Sequence, residues 1–274
     1  ELANQLLENL NNLKQIESET YPIQTVPVSA DIDEAIDIFD RVNSQGTKLS
    51  DADLALAHVC GKWPQARQLM KDKINKLKQK RFDLDLVFMT RALTAIVKNR
   101  ALFETIHDAS EDELKEGWKT VSKILDYLVN ILPVHAHIDS TSDLSSNNIL
   151  VPVMVYLSKN ENKFQSHQEM KLFIHWIYAA NMWGRYSSQT DQKLEKDISI
   201  ILENKTPHDA LINEIVEMKG RIEVKPSDIA GKMVQNPFFN MSYITSKAKG
   251  ALDWHDGTPL GKTFGESYSF HKHH

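Results

Sequence analysis

The stretch "DELKEGWKTVSKILDYLVNI", residues 112–131, predicts a long amphipathic helix. Apolar residues recur in it three and four positions apart, which places them on one side of a helix. They are Leu114, Trp118, Val121, Leu125 and Leu128. Acidic residues at 111 and 112 lie near the expected helix start, where the helix dipole favours negative charge.

The same spacing continues through most of the chain, and the sequence therefore predicts a mainly α fold. Further helical segments are 2–16, 34–42, 52–60, 84–97, 168–186, 191–203 and 209–219. The exception is "YPIQTVPV", 21–28, where alternation, β-branched residues and two prolines favour a short edge strand or an extended connector. We expect a multi-helix bundle with at most a short β remnant near the N-terminus.

Composition sets limits on the class of protein. The chain has 274 residues, of which 41% are hydrophobic and 25% charged, as in ordinary globular domains. Cys60 is the only cysteine, so an internal disulfide is impossible and a reducing, cytoplasmic location is expected. No apolar run reaches about 18 residues, so we expect no membrane partner.

Charge is distributed unevenly along the chain, although the net charge is only −5. Residues 62–81, "KWPQARQLMKDKINKLKQKR", contain eight basic residues and Asp72 as the only acidic one. Such a segment can neutralise the phosphates of DNA, or its lysines can simply solvate one side of a helix. The candidate DNA contacts in it are Lys71, Lys73, Lys76, Lys78, Lys80 and Arg81.

The segment "FDRVNSQGTKLSDADL", 39–54, reads as a polar corner between two helices. Gly46 fits a left-handed position just after a helix end. Ser50 fits the N-cap of the next helix, with Asp51 and Asp53 in its first turn. The spacing of a Walker phosphate loop is absent, so residue pattern alone predicts a helix–turn–helix corner.

Four segments of this chain resemble the GmrSD-type family, whose members combine a ParB-like N-terminal domain with an HNH nuclease. The family pattern Phe-x-Arg-x-Asn-x-x-Gly-Thr-x-Leu-Ser is matched within 35–57 by Phe39, Arg41, Asn43, Gly46, Thr47, Leu49 and Ser50. "NMWGRYSSQTDQKLEKDI", 181–198, resembles the helical region of the family, which adds Arg185 as a candidate DNA contact. "KAKGALDWHDGTPL" and "SYSFHKHH" resemble the approach to the HNH motif. Many members are bacterial anti-phage restriction proteins.

The resemblance implies a nucleotide pocket in the intact protein. Family members bind and hydrolyse a nucleoside triphosphate with an Asp-Gly-Gln-Gln-Arg motif and the segment matched here. By this resemblance Arg41, Asn43 and Gly46 line the pocket, and Phe39 supports it. The chain contains no Asp-Gly-Gln-Gln-Arg stretch, so we expect half of the pocket to be missing.

The resemblance also implies part of a metal-dependent nuclease. HNH enzymes use a histidine as general base and a divalent ion such as Mg²⁺ to stabilise the leaving oxygen. His274 aligns with the general base and His273 with a metal ligand. The remaining ligands would follow residue 274, so we expect no complete active site and no firmly bound cofactor in this chain.

These observations predict a fragment of a restriction endonuclease that is regulated by nucleotide and cleaves modified phage DNA. We expect 1–60 to end a ParB-like domain, 61–250 to form a helical DNA-contacting domain, and 251–274 to begin an HNH domain. The chain lacks an initiator Met and stops within the HNH resemblance, which indicates a piece of a longer protein. The expected partners are DNA, a nucleotide and a second copy of the chain in a possible homodimer.

Two other classes of protein stay open at this point. One is a helical structural or dimerisation module without catalysis. The other is a small-molecule hydrolase that uses His135, His137 and Asp139, although "PVHAHIDS" after Pro133 reads as a loop rather than the strand such a metal site needs. We expect Glu195 and Asp197 to be solvated helix acids. Phe173, Trp176, Ile177 and Ala180 are expected in the core.

Overall fold

The computed structural model describes residues 2–20, 49–233 and 236–260, together with residues 23, 25, 27, 29, 30, 34 and 38. The chain divides into two compact units, Glu1–Thr47 and Lys48–His274. In the first unit, helix α1 spans Leu2–Ser18. Its apolar side chains are exposed: Leu6, Leu7, Leu10, Leu13 and Ile16. The extended segment predicted at 21–28 lies for the most part outside the described residues.

The second unit begins with three helices: α2 at Asp51–Lys62, α3 at Ala66–Gln79 and α4 at Leu86–Lys98. Ser50 caps α2, and its hydroxyl accepts a hydrogen bond from the Asp53 amide at 3.3 Å, so the predicted N-cap is confirmed. The Asp53 carboxylate in return accepts from the Ser50 amide at 3.2 Å, which completes a capping box. Such reciprocal bonds fix where α2 starts.

Helix α5, Glu111–Ala136, is the longest helix in the described part of the chain. The predicted apolar side is confirmed, because all five of its residues are buried: Leu114, Trp118, Val121, Leu125 and Leu128. The helix continues past Pro133 to Ala136. The sequence predicts a loop directly after this proline, and that prediction is wrong for residues 134–136. Proline lacks the amide that would bond to the carbonyl four residues earlier, yet the helix continues for three residues after it.

Six more helices complete the second unit within the described ranges. They are α6 at Leu150–Ser158, α7 at His167–Met182, α8 at Thr190–Glu203, α9 at His208–Lys219, α10 at Pro226–Ile229 and α11 at Pro237–Ala248. Short 3₁₀ turns lie at Phe103–Asp108, Thr141–Asp143 and Asn147–Ile149. Helix α6, "LVPVMVYLS", is apolar on nearly all sides and packs against α4, α5 and α8. It therefore forms the centre of the core.

The predicted mainly α fold is confirmed. Among the described residues the β pairing consists of a single antiparallel bridge between Leu252 and Pro259, which closes the turn predicted near 253–265. Burial of Phe173, Trp176, Ile177 and Ala180 confirms their predicted place in the core. None of the described helices is both long enough and apolar enough to cross a membrane.

Helix α2 belongs to the larger unit, which begins at Lys48, and the predicted domain boundaries at residues 60 and 250 stay predictions. Ala55 and Val59 of α2 are buried, and α2 packs against α4 and the Phe103–Asp108 turn. Helix α2 therefore contributes an apolar side to the core of the second unit, which begins at Lys48. Near the C-terminal end of the described residues, α11 packs against α7.

Candidate nucleic-acid interface

The basic segment predicted from the sequence forms helix α3 and its two ends. Met70 and Leu77 are buried beneath the helix, so α3 is held against the body by one apolar side. Most candidate DNA contacts in the segment are exposed: Lys71, Lys76, Lys78, Lys80 and Arg81. Arg67 of the same helix is also exposed. The structure therefore presents a strongly basic helix to solvent.

Lys73 is an exception, and its predicted contact with DNA is corrected here. Its side chain is 7% exposed, and its Nζ lies 2.8 Å from an Asp126 carboxylate oxygen of α5. The same ammonium donates a 2.8 Å hydrogen bond to the carbonyl of Ser122. Its charge is thus used inside the protein, where it fastens α3 to α5.

The exposed basic residues of α3 lie in two rows. A helix turns by about 100° per residue, so Arg67, Lys71 and Lys78 fall within about 40° of one another. Lys76 and Lys80 fall on the other side of the exposed surface, about 140° or more away from the first row. The two rows therefore flank the outward side of α3.

Some of these lysines have partners within the protein. Lys78 lies 3.4 Å from the Asp83 carboxylate, and both side chains are exposed. The Lys80 ammonium donates a 3.1 Å hydrogen bond to the Asn130 side chain. Exposed pairs of this kind contribute little to stability and are readily exchanged for another anion.

Arg81 occupies an unusual backbone position at the end of α3. Its φ is 68°, in the left-handed region that favours glycine. The Arg81 amide bonds to the Lys78 carbonyl at 2.9 Å, and the Phe82 amide bonds to the Leu77 carbonyl at 3.0 Å. These two bonds form a Schellman motif, in which this position is usually glycine. An arginine here is held at some cost in backbone energy.

Arg81 lines a polar cleft of about 610 Å³ at the end of α3. The other lining residues come from the turn after α3 and from the segment before α6: Asp83, Ser140, Thr141, Ser142, Leu144, Ser145, Ser146 and Asn147. Thr141 fastens the two segments together, because its amide donates to the Arg81 carbonyl at 3.3 Å and its hydroxyl accepts from the Asp83 amide at 3.1 Å.

The cleft carries hydrogen-bond donors as well as the Asp83 carboxylate. The hydroxyls of Thr141 and Ser146 accept bonds from backbone amides, so their own hydrogens remain available to donate. Together with the Arg81 guanidinium they provide donors of the kind that contact DNA phosphates. Sequence reasoning missed this cleft, although the run "STSDLSSNN", 140–148, is rich in hydroxyl and amide side chains.

We predict that Arg81→Gly makes the protein more stable and weakens DNA binding. Glycine removes the left-handed strain and should raise the free energy of unfolding by about 0.5–1 kcal/mol. Loss of the guanidinium should weaken binding to duplex DNA and make it less dependent on salt. Urea denaturation and fluorescence anisotropy measure the two effects.

Arg81→Ala is the matched control for this prediction. Alanine removes the same side chain but keeps the left-handed strain, so DNA binding should weaken equally without any gain in stability. Equal stability of the glycine and alanine variants would contradict the assignment of strain to this position.

Arg185, the remaining candidate DNA contact, lies in the interior, and its predicted surface role is corrected here. Its side chain is 3% exposed, and its guanidinium donates to both carboxylate oxygens of Asp197, at 2.6 and 3.0 Å. The Tyr186 hydroxyl donates to the same carboxylate at 2.5 Å. Burial, followed by the charge of Asp197, raises the pKa of Tyr186 well above its usual value. The two residues therefore hold α8 to the turn after α7.

The two acids of α8 also differ from the expected solvated pair. Asp197 is fully buried, and burial raises the pKa of its carboxyl against the opposing effect of Arg185. Glu195 pairs with Arg100 and accepts from the Ala101 and Leu102 amides. Both acids are structural partners that join α8 to other parts of the chain.

The candidate metal site of the hydrolase alternative does not form. Asp139 pairs with Lys247 at 2.8 Å, while His135 lies in the last turn of α5 with its ring centroid 5.8 Å from that of His167. His137 ends α5 in a left-handed conformation. A search of the described residues finds no group of three or more His, Cys, Asp or Glu side chains placed to hold a metal ion.

The residues that the family resemblance assigns to catalysis and nucleotide binding lie outside the described part of the chain. They are Phe39, Arg41, Asn43, Gly46, His273 and His274. Their roles stay predictions. Comparison of the chain with protein-family models, curated proteins and solved structures finds no match.

Proposed function

We propose that this chain is the DNA-contacting helical part of a GmrSD-type restriction endonuclease. The observation that carries the proposal is the exposure of five candidate basic residues on and after α3: Lys71, Lys76, Lys78, Lys80 and Arg81. Asp72 is the only acid within 62–81, so this segment carries a local excess of positive charge although the whole chain is acidic. Such a local excess attracts the phosphates of DNA and provides most of the affinity in a salt-dependent way.

The proposed reaction of the intact protein is cleavage of modified phage DNA, regulated by a nucleoside triphosphate. A triphosphate pocket would include Phe39, Arg41, Asn43 and Gly46, and a divalent ion would be held by His273. His274 would act as the general base. This assignment is supported by the sequence resemblance, and we expect the chain by itself to bind DNA without cleaving it.

We predict that replacing Lys71, Lys76, Lys78 and Lys80 together by Gln weakens binding to duplex DNA by more than tenfold at moderate salt. Each lost phosphate contact lowers the slope of log affinity against log salt by about 0.9. If all four lysines contact phosphates, the slope should therefore fall by about 3.6. Fluorescence anisotropy titrations at several salt concentrations measure both quantities.

The control is a second fourfold variant with the same change in net charge. It replaces four exposed lysines on other parts of the surface, Lys159, Lys171, Lys205 and Lys219, by Gln. We expect this variant to retain most of the affinity and the salt slope of the wild type. If the two variants lose affinity equally, binding depends on net charge alone and α3 is not the interface.

A structural or dimerisation module is the second candidate function, because α1 exposes a row of apolar side chains. Failure of the wild-type chain to bind DNA at low salt, combined with self-association in analytical ultracentrifugation, would favour this candidate over the DNA-contacting role.

A further inference from the structure

The outward side of α3 carries a strip of polar side chains between its two basic rows. Gln68, Asp72, Asn75 and Gln79 follow one another at intervals of four, three and four residues, so they lie along one line of the helix. By rotation about the axis this line falls about midway between the rows of Lys71 and Lys76. All four side chains are exposed. The amides of Asn75 and Gln79 make no hydrogen bond with any described residue.

We infer that α3 enters the major groove of double-stranded DNA and that this strip contacts the edges of the bases. The inference rests on the proposed DNA-contacting function and adds the form of the nucleic acid and the residues that read it. Asn75 and Gln79 are the reading residues, and adenine is their preferred base because one amide bonds to both its N6 and its N7. The flanking basic rows bind phosphates of the two strands.

The dimensions of α3 fit this role. An α-helix with its side chains is about 10–12 Å wide, and the major groove is about 12 Å wide. When the polar strip faces the groove floor, basic residues on both sides of the helix point to the groove walls. A helix lying across one strand could use only one of the two rows.

The single acid of the basic segment also finds a place in this arrangement. Asp72 lies on the strip rather than in a basic row, and its carboxylate accepts a 2.8 Å hydrogen bond from the Gln68 amide. On the groove floor a carboxylate accepts from the N4 amino group of cytosine and is kept away from the phosphates. The same acid in either basic row would repel the backbone.

Helix α3 is rigidly positioned for insertion. Buried Met70 and Leu77 hold its inner side, and the buried ammonium of Lys73 fastens it to Asp126 of α5. A preformed reading surface loses little side-chain and backbone entropy on binding. The burial of Lys73 therefore contributes to DNA recognition by placing the exposed residues of the helix.

Duplex DNA suits this surface better than a single strand does. Single-strand binding surfaces combine positive charge with aromatic side chains on which bases stack. Helix α3, "ARQLMKDKINKLKQ", contains no aromatic residue, and Trp63 just before it is buried. Amides and lysines match the edges and walls of a groove.

The test begins with selection of preferred sequences from a pool of duplexes with a randomised centre. The wild-type chain should enrich sequences that contain adenine at fixed positions. The double variant Asn75→Ala and Gln79→Ala should lose this enrichment and keep its salt slope, because no phosphate contact is removed.

The double variant Gln168→Ala and Asn213→Ala is the control. It removes exposed amides from α7 and α9 and should select the same sequences as the wild type. Alanine favours helix at all four positions, and circular dichroism checks that each variant folds.

The decisive measurement uses the selected duplex with its adenines replaced by 7-deaza-adenine, which lacks the N7 acceptor of the major groove. The wild-type chain should lose affinity by about tenfold, and the Asn75 and Gln79 variant should lose none. Equal losses in both proteins, equal affinity for the single strand, or unchanged enrichment in the variant would each overturn the groove assignment while leaving DNA binding intact. Absence of any DNA binding by the wild type would instead overturn the proposed function.

Discussion

Asp197→Asn is expected to lower the free energy of unfolding by about 3–5 kcal/mol, because it removes the carboxylate bonded to the buried Arg185 guanidinium and leaves only Glu214, at 3.5 Å, as a counter-charge. Arg185 is 3% exposed and Asp197 is fully buried, so neither can turn to solvent after the change. Asparagine keeps the shape of the side chain, so the loss measures the missing charge rather than a cavity. Urea denaturation followed by circular dichroism gives the difference directly.

Asp108→Asn is the matched control for this prediction. Asp108 is exposed, and its change should alter the free energy of unfolding by no more than about 0.5 kcal/mol. Tyr186→Phe removes only the hydroxyl that donates to Asp197 and should cost about 1 kcal/mol. A loss below about 1 kcal/mol for Asp197→Asn would show that water or another group compensates the Arg185 charge.

The buried ion pair shows what the sequence could not reveal. Arg185 lies in the stretch "GRYSS", 184–188, whose glycine and two serines are typical of an exposed turn. Its partner Asp197 lies on the next helix, and their pairing depends on how α8 packs on the turn after α7. Local composition carries no signal for such packing, so both residues were expected at the surface.

Lys73, in contrast, could have been recognised from the sequence. It is three residues after Met70 and four before Leu77, so helical spacing places it on the buried side of α3. When all basic residues of 62–81 are grouped as candidate DNA contacts, the buried position of Lys73 within the helical repeat is overlooked. Helical periodicity predicted the apolar side of α5 correctly because each of those residues is apolar and the spacing holds throughout.

The polar cleft illustrates a third kind of limit. Its walls come from the turn after α3 and from the segment 140–147, which are distant in sequence and meet through the bonds of Thr141. Each segment alone resembles an ordinary polar connection. The strained backbone of Arg81, which depends on the Schellman bonds of α3, is likewise visible only in three dimensions.

A second buried charge joins the last described helix to one side of this cleft. Lys247 of α11 is almost completely buried, and its ammonium lies 2.8 Å from Asp139 and 3.6 Å from Asp143. Asp143 also accepts bonds from the Asp139 and Ser140 amides, at 2.8 and 3.3 Å. The charge of Lys247 therefore supports the 3₁₀ turn Thr141–Asp143, which contributes Thr141 and Ser142 to the cleft.

Lys247→Met is expected to lower the free energy of unfolding by about 2–3 kcal/mol. Methionine fills the space of the lysine stem, so the loss reflects two neighbouring carboxylates without a cation. The expected cost is below that of Asp197→Asn because Asp139 is 22% exposed and partly solvated.

Lys249→Met, at the exposed end of the same helix, is the control and should change stability by about 0.5 kcal/mol or less. Because the cleft turn loses its support, DNA affinity should fall in the Lys247 variant under conditions where it remains folded. Unchanged stability would show that the carboxylates of Asp139 and Asp143 do not depend on the Lys247 ammonium, and unchanged affinity in a destabilised variant would separate the cleft from DNA binding.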